Sequence, residues 1–234
     1  MIHQEKYKRL ADMLNIQAGE KVLEIGSGWG GFATYVAKKL QADITGISLS
    51  KAQTKYARNQ FKNEDIAGTA RVNIQDYRNT TGEYKHIVSI EMFEAVGEEY
   101  WDEYAGKIKD LLVSDGAAAL QIITIEDARF ERYRRTPDFI QRYVFPGGML
   151  PTHKILNSTF ERAGLRITYD KSYGNDYAKT LSIWRRNFNE AWTDIRKLGF
   201  DEEFKRLWEF YLVYCEVGFL QKSIDVVQIK VEHK

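Results

Sequence analysis

One stretch, Val22-Leu23-Glu24-Ile25-Gly26-Ser27-Gly28-Trp29-Gly30-Gly31-Phe32, constrains what this chain can fold into more than any other. An apolar run with one carboxylate ends in four glycines, and a helical pattern follows at once. A strand that stops in a glycine turn lets a ligand touch bare backbone, and the next helix presents unpaired N–H groups at the same place. Glu24, near the strand's end, is placed to accept a hydrogen bond from a hydroxyl or an ammonium. The stretch predicts a nucleotide-type pocket at the C-terminal edge of a first β-strand. The alternative is a glycine-rich turn that binds nothing.

Spacing narrows the ligand. Gly26-x-Gly28-x-Gly30 lacks the third glycine of the dinucleotide fingerprint, and no Gly-Lys-Ser/Thr follows that would cradle a triphosphate. An acid shortly before G-x-G-x-G is the usual first motif of S-adenosylmethionine (SAM) methyltransferases. Glu24, Gly26, Ser27, Gly28 and Gly30 are therefore the first candidates for holding SAM.

The rest of the chain fits a sheet built around that edge. Apolar periodicity predicts a helix over 4–14, strands over 21–26, 43–48, 70–75, 86–91 and 117–124, and helices over 31–40 and 98–113. Ser50 caps a further helix. This alternation predicts an α/β fold with a doubly wound, Rossmann-like, mostly parallel sheet. A charged and aromatic helical stretch over 127–144 follows, then Phe145-Pro146-Gly147-Gly148-Met149-Leu150-Pro151, where two of the three prolines flank two glycines. Helices over 152–163, 184–195 and 201–219, a strand over 165–173 and an antiparallel last strand over 225–231 complete the reading. One domain over 1–234 is expected, with a helical cap inserted after the fifth strand at about 126–164.

Bulk properties exclude several classes. A net charge of +1 over 234 residues leaves no surplus of cations for nucleic acid. The single Cys215 excludes an internal disulfide and a cysteine zinc site, and no metal is expected. No apolar run reaches the length of a membrane span and no signal-peptide pattern opens the chain, so a cytoplasmic protein is expected.

The ends of the later strands offer more ligand-facing positions. Ser48, Leu49 and Gln53 stand where an acid usually meets the ribose, so hydroxyls and an amide replace it. Gln75, Asp76 and Tyr77 follow the third strand; the acid suits an adenine amine and the ring an adenine face, although Asp76 reads equally as a turn residue. Glu91 and Glu94 follow the fourth strand among Met92, Phe93 and Val96, either facing the pocket or capping a helix.

At these residues the chain resembles the cyclopropane-fatty-acyl-phospholipid synthases and mycolic-acid cyclopropane synthases. The matching pieces include the glycine stretch, Thr45-Gly-Ile-Ser-Leu-Ser-Lys-Ala-Gln53, Gln75-Asp-Tyr-Arg78 and Met92-Phe-Glu-Ala-Val-Gly97. Others are Phe139 to Pro151, Tyr177-Ala-Lys-Thr-Leu-x-x-Trp184, Trp208 to Phe219 and Ile224-Asp-Val-Val-Gln-Ile229. The resemblance implies a class I SAM methyltransferase fold and methyl transfer to the cis double bond of an unsaturated phospholipid acyl chain. A carbocation results, and a bound bicarbonate removes a proton. By motif, bicarbonate falls to Glu94, Gln121, Ile123 and Tyr177, while Glu91 joins the cofactor residues. The resemblance also implies peripheral contact with the inner membrane surface and a homodimer in full-length members.

This sequence departs from that pattern in places. Gln121 and Ala95 stand where many members have His, and Cys215 does not replace the cysteine of an upstream Tyr-Ser-Cys-type segment that the chain lacks. The N-terminal lipid-binding domain of full-length members is expected to be absent as well. Arg129, Arg132, Arg134 and Arg135, interleaved with Phe130 and Tyr133, form either a headgroup-binding face or a solvated one. Phe139, Val144, Phe145, Met149 and Leu150 line an acyl tunnel or form the core beneath the cap. A small-molecule N-methyltransferase, or a SAM- and lipid-binding domain that needs a separate segment for chemistry, are the competing readings.

Overall fold

Alternation within the strands sends consecutive side chains to opposite faces and so builds two cores on one sheet. The computed structural model describes residues 2–234, with side chains from Gln4 onward. Helix α1 (Ile2–Leu14) precedes β1 (Lys21–Ile25), α2 (Gly31–Leu40), β2 (Asp43–Ser48), α3 (Lys51–Asn63), β3 (Ala70–Ile74) and β4 (Tyr84–Ile90). Then come α4 (Trp101–Leu111), β5 (Leu112–Ile125), α5 (Asp127–Arg135), α6 (Phe139–Tyr143), α7 (His153–Arg162) and β6 (Leu165–Ser172). Helices α8 (Gly174–Glu190), α9 (Trp192–Lys197) and α10 (Glu202–Leu220) lead into β7 (Ile224–His233). The sheet order is β3-β2-β1-β4-β5-β7-β6. Strands β1 to β5 pair in parallel, and β7 runs antiparallel to both β5 and β6. The doubly wound, mostly parallel α/β reading with an antiparallel last strand is borne out.

One face carries Leu23, Ile87 and Leu120 against Tyr104 and Ile108 of α4 and Phe160 of α7. Val22, Val88 and Ala119, each one residue away, face Leu10 of α1, Phe32 of α2 and Phe61 of α3. Each fully buried Leu, Ile or Phe stabilises by about 1.5–3 kcal/mol relative to exposure, so the sheet edge that carries the ligand-facing residues rests on a rigid slab. The direction of winding reverses between β1 and β4, the position where open α/β sheets bind ligands.

Two boundaries differ from expectation. Helix α4 stops at Leu111 and β5 begins at Leu112, so Asp115-Gly116 lies inside a strand. The β4–β5 register jumps from Tyr84↔Leu112 to His86↔Ala117, and a Cβ on Gly116 would stand 2.9 Å from the Lys85 carbonyl oxygen. The Asp-Gly pair marks a bulge there rather than a turn. Helix α8 begins ten residues earlier than the expected 184, which puts Tyr177 on a helix. Helices α8 and α10 pack together through Ala178, Leu181, Leu212 and Phe219, beside Ile123 of β5. Among the described residues no helix is long and apolar enough to cross a membrane.

Candidate active site

At the end of β1, Gly26, Gly28 and Gly30 take φ values of 81°, 51° and 82°, backbone that L side chains rarely adopt. Packing explains three of the four glycines. A Cβ on Gly30 would lie 2.8 Å from the Cβ of Ala57, one on Gly31 2.5 Å from the Tyr7 hydroxyl, and one on Gly26 3.3 Å from Met92. A Cβ on Gly28 would meet nothing within 4 Å. Gly28 is thus the glycine whose bare backbone faces outward rather than into the protein, as the cradle for a cofactor requires. Ser27 is buried beside it with an unpartnered hydroxyl, held under Gly46, where a Cβ would come 2.6 Å from that of Ser27.

Glu24 sits deeper than its sequence position suggests. It is buried, accepts from the Ala33 N–H in the first turn of α2, and leaves its Oε2 without a partner. Burial pushes its carboxyl well above the usual carboxylate range. It therefore ties α2 to β1 and keeps one acceptor, or one proton, beneath the turn. At the end of β2 the Ser48 hydroxyl donates to Gln53 Oε1 at 3.1 Å and accepts from the Ser50 N–H, while Leu49 projects its side chain outward.

After β3, Gln75 donates to the Asn79 carbonyl and Thr80 hydroxyl, and Asp76 caps the 3-10 turn Tyr77–Asn79. The Asp76 carboxylate accepts the Arg78 N–H at 2.9 Å and Nη2 of the same residue at 2.7 Å, so its pKa falls below the ordinary value. The expected stacking ring is a correction. Tyr77 is a core residue, edge-on to Tyr104 with centroids 5.0 Å apart, and a ring fixed there has no free face to offer an adenine.

The residues expected to surround the reacting carbon do meet. Glu91 follows β4 with φ 53°, a left-handed backbone uncommon for a residue other than glycine. Its N–H donates to the Gln121 carbonyl at 2.8 Å. Its carboxylate accepts from Gln121 Nε2 at 2.6 Å and from the Tyr177 hydroxyl at 2.7 Å. Gln121 is held in turn by Gln228, whose Nε2 donates to Gln121 Oε1 at 2.9 Å across directly paired positions of β5 and β7. Glu94, on the 3-10 turn Phe93–Ala95, accepts the Ile123 backbone N–H through Oε1 and leaves Oε2 buried without a partner. Burial, then the charge of Glu91, raises the Glu94 pKa to about 8, so Glu94 carries a proton at neutral pH. Burial and the same charge hold the Tyr177 phenol well above its ordinary value, which keeps it a donor.

This arrangement bears on two expectations. Glu91, expected among the cofactor residues, is hydrogen-bonded to Gln121 and Tyr177 of the other expected set. The bicarbonate set does not fit a bicarbonate: Gln121 and Tyr177 already donate to Glu91, and the Ile123 N–H donates to Glu94. A small anion needs donors, and the donors assigned to it hold the protein's own carboxyl groups.

A cavity of about 1210 Å³ opens from Glu91, Glu94, Ile123 and Tyr177 and runs beneath the cap. Phe145, Met149 and Leu150 line it as expected. Phe139 and Val144 do not; the Phe139 ring meets that of Phe210 edge-on, 4.6 Å between centroids. Tyr133 and Tyr211 add ring surface, and burial raises both phenol pKa values. Of the arginines, Arg129, Arg134 and Arg135 pair with Glu126, Glu98 and Glu131. Arg132 also lines the cavity and has no acid within ion-pair distance among the described residues. Sequence reasoning missed Tyr7, Tyr211 and Gln228. A lone glutamine within the apolar alternation Val226-Val227-Gln228-Ile229 was the available signal for the last.

Strand order, the outward-facing Gly28 and the acid of β1 define the class as that of SAM-dependent methyltransferases. The chain belongs to the mycolic acid cyclopropane synthetase family, whose family model matches residues 2–229. It is 39% identical over 224 residues to tuberculostearic acid methyltransferase UfaA1 of Mycobacterium tuberculosis, covering 95% of this chain and 52% of that protein. It is 30% identical over 226 residues to the cyclopropane-fatty-acyl-phospholipid synthase of Escherichia coli, covering 97% and 56%. The chain thus spans about half the length of these relatives. Mycolic acid cyclopropane synthase CmaA1, solved with S-adenosylhomocysteine and CTAB, superposes with a TM-score of 0.91 at 28% identity, over 98% of this chain and 83% of that one. The cyclopropane synthase MmaA2 of Mycobacterium tuberculosis gives 0.90 at 25% identity, over 97% and 82%.

Proposed function

We propose that this chain transfers the methyl group of SAM to a double-bond carbon of an unsaturated phospholipid acyl chain. The observation that carries the reading is the continuity of the apolar cavity with the cluster of buried Glu94 and half-buried Glu91 and Tyr177 at the strand edge where Gly28 bares its backbone. When bound there, SAM supplies an electrophilic methyl group. The protein's own residues do the rest. Aliphatic and aromatic walls exclude water, which would otherwise capture a cationic acyl intermediate. The rings of Tyr133, Tyr177 and Tyr211 line the cavity, and aromatic quadrupoles stabilise such a cation. Arg132, free of acidic partners, suits a lipid phosphate at the rim, and the reaction then takes place at a membrane surface.

The test uses the purified chain, SAM and vesicles of mono-unsaturated phosphatidylglycerol, with mass spectrometry of the acyl chains and calorimetry of SAM binding. Acyl chains that gain one CH₂ or one methyl branch support the reading. SAM binding with no acyl product, or methylation of an amine instead, overturns it.

A further inference from the structure

We propose that Glu91 is a built-in catalytic base: its carboxylate takes the place of an external anion and receives the proton that leaves the methylated acyl cation. This rests on the acyl-methylation reading above.

The first observation is the donor set. The phenol of Tyr177 and the amide of Gln121 converge at 2.7 and 2.6 Å on the two oxygens of one carboxylate, one donor to each. Both donors come from elements other than the one that carries Glu91. Two oxygens of a planar carboxylate, each with a donor, reproduce what a bound carboxylate-like anion would ask of the pocket. The orientation of the Gln121 amide is not free, because Gln228 donates to its oxygen and so turns its NH₂ toward Glu91.

The second observation is the backbone. Non-glycine residues persist in the left-handed region when their surroundings fix them, and such residues cluster at functional sites. Glycine would take φ 53° without strain, yet a glutamate stands here, and its side chain lines the cavity. The third is the neighbour. Glu94 is buried with its Oε2 unpartnered and is held protonated, so it offers a hydrogen rather than a second base. Two carboxyl groups three positions apart are thereby differentiated into a donor and an acceptor.

The step balances without another reactant. The C–S bond of SAM breaks as the new C–C bond forms, leaving the positive charge on the adjacent acyl carbon. A C–H bond of the transferred methyl then breaks and its electron pair closes a three-membered ring onto the cationic carbon, or a C–H bond on a carbon adjacent to the cation breaks and its pair forms a double bond. In either case the proton passes to a Glu91 oxygen, which returns it to solvent on product release.

The experiment compares wild type, Glu91→Gly and Glu91→Gln in bicarbonate-stripped and bicarbonate-supplemented buffer. Acyl methylation, SAM binding by calorimetry and the line width of ¹³C-labelled bicarbonate are measured for each. Wild type should turn over equally in both buffers and leave the bicarbonate signal sharp. Glu91→Gly should lose about 100-fold or more in stripped buffer, regain at least about tenfold with bicarbonate, and broaden the labelled signal. Glu91→Gln, whose amide fills the same space, should be slow in both buffers and still bind SAM. Wild-type turnover that falls on stripping, or Glu91→Gln turnover close to wild type, overturns the role of Glu91 while leaving acyl methylation standing. Wild type that binds SAM and methylates no acyl chain in either buffer overturns both. If Glu91→Gly does not fold, the wild-type and Glu91→Gln arms decide alone.

Discussion

Glu94 gives the most direct physical test of the site, because its two oxygens are in unlike surroundings. One takes the Ile123 N–H and the other lies buried without a partner. Its pKa rises from 4.5 to about 8. Below pH 4.5 the group is protonated whether the chain is folded or not, and it has no effect on stability. Between 4.5 and about 8 the unfolded chain releases the proton while the fold retains it, so stability falls as pH rises and levels off above about 8. At about 1.4 kcal/mol per pKa unit the full loss is about 5 kcal/mol. Glu94→Gln mimics the protonated acid at every pH: its amide oxygen accepts the Ile123 N–H and its NH₂ stands where the proton was. The buried NH₂ costs about 1–3 kcal/mol if it stays unpaired, but equally at all pH values. Urea unfolding of both proteins at pH 5 and pH 9 separates the two effects. The variant should gain about 3–5 kcal/mol on wild type between those conditions. Stability profiles that run parallel within about 0.5 kcal/mol would refute the buried, protonated carboxyl.

Gly28 and Gly30 should separate binding from folding. Gly30→Ala combines φ 82° with a 2.8 Å approach to Ala57 and should cost about 2–4 kcal/mol in thermal or chemical unfolding. Gly28→Ala, at φ 51° in open space, should cost only about 1 kcal/mol but weaken SAM binding by calorimetry about tenfold or more; equal SAM affinity would remove Gly28 from the cofactor cradle. Tyr177→Phe keeps a ring packed 4.9 Å from Phe219 and removes one donor from Glu91, so kcat for acyl methylation should fall while SAM binding holds. Gln228→Leu leaves the Gln121 amide oxygen buried and unpaired, at about 1–3 kcal/mol of stability. Freed to turn, Gln121 should lower kcat with KM unmoved, a split that a purely structural role for Gln228 would not give.

Much of this was legible in the chain, for identifiable reasons. The short runs buried on both faces in β1, β2 and β4 and the glycine turn fix the parallel sheet and its binding edge locally, so they survive without tertiary knowledge. Glu94, Tyr177, Gln121 and Ile123 were found through motifs and do converge. What was illegible depends on distance. The Glu91–Tyr177 bond spans 86 residues and the Gln121–Gln228 bond 107, and no local pattern announces either. Tyr77 shows the same limit from the other side, since an acid beside an aromatic reads identically whether the ring faces a ligand or, as here, Tyr104. At Asp115-Gly116 the local signal was real and its meaning was not, because strand pairing with β4 overrode the turn.

The left-handed backbone at Glu91 links the two halves of the site. Its conformation costs about 1–2 kcal/mol. Against this stand the N–H bond to Gln121 and the two bonds received by the carboxylate, each contributing about 1 kcal/mol or more when charge-assisted. The donors that hold the strained residue are thus the same ones an exogenous anion would require, and they cannot serve both at once. Removing the side chain should relieve the backbone and release the donors together, which is why Glu91→Gly, and not Glu91→Gln, is expected to gain an anion site.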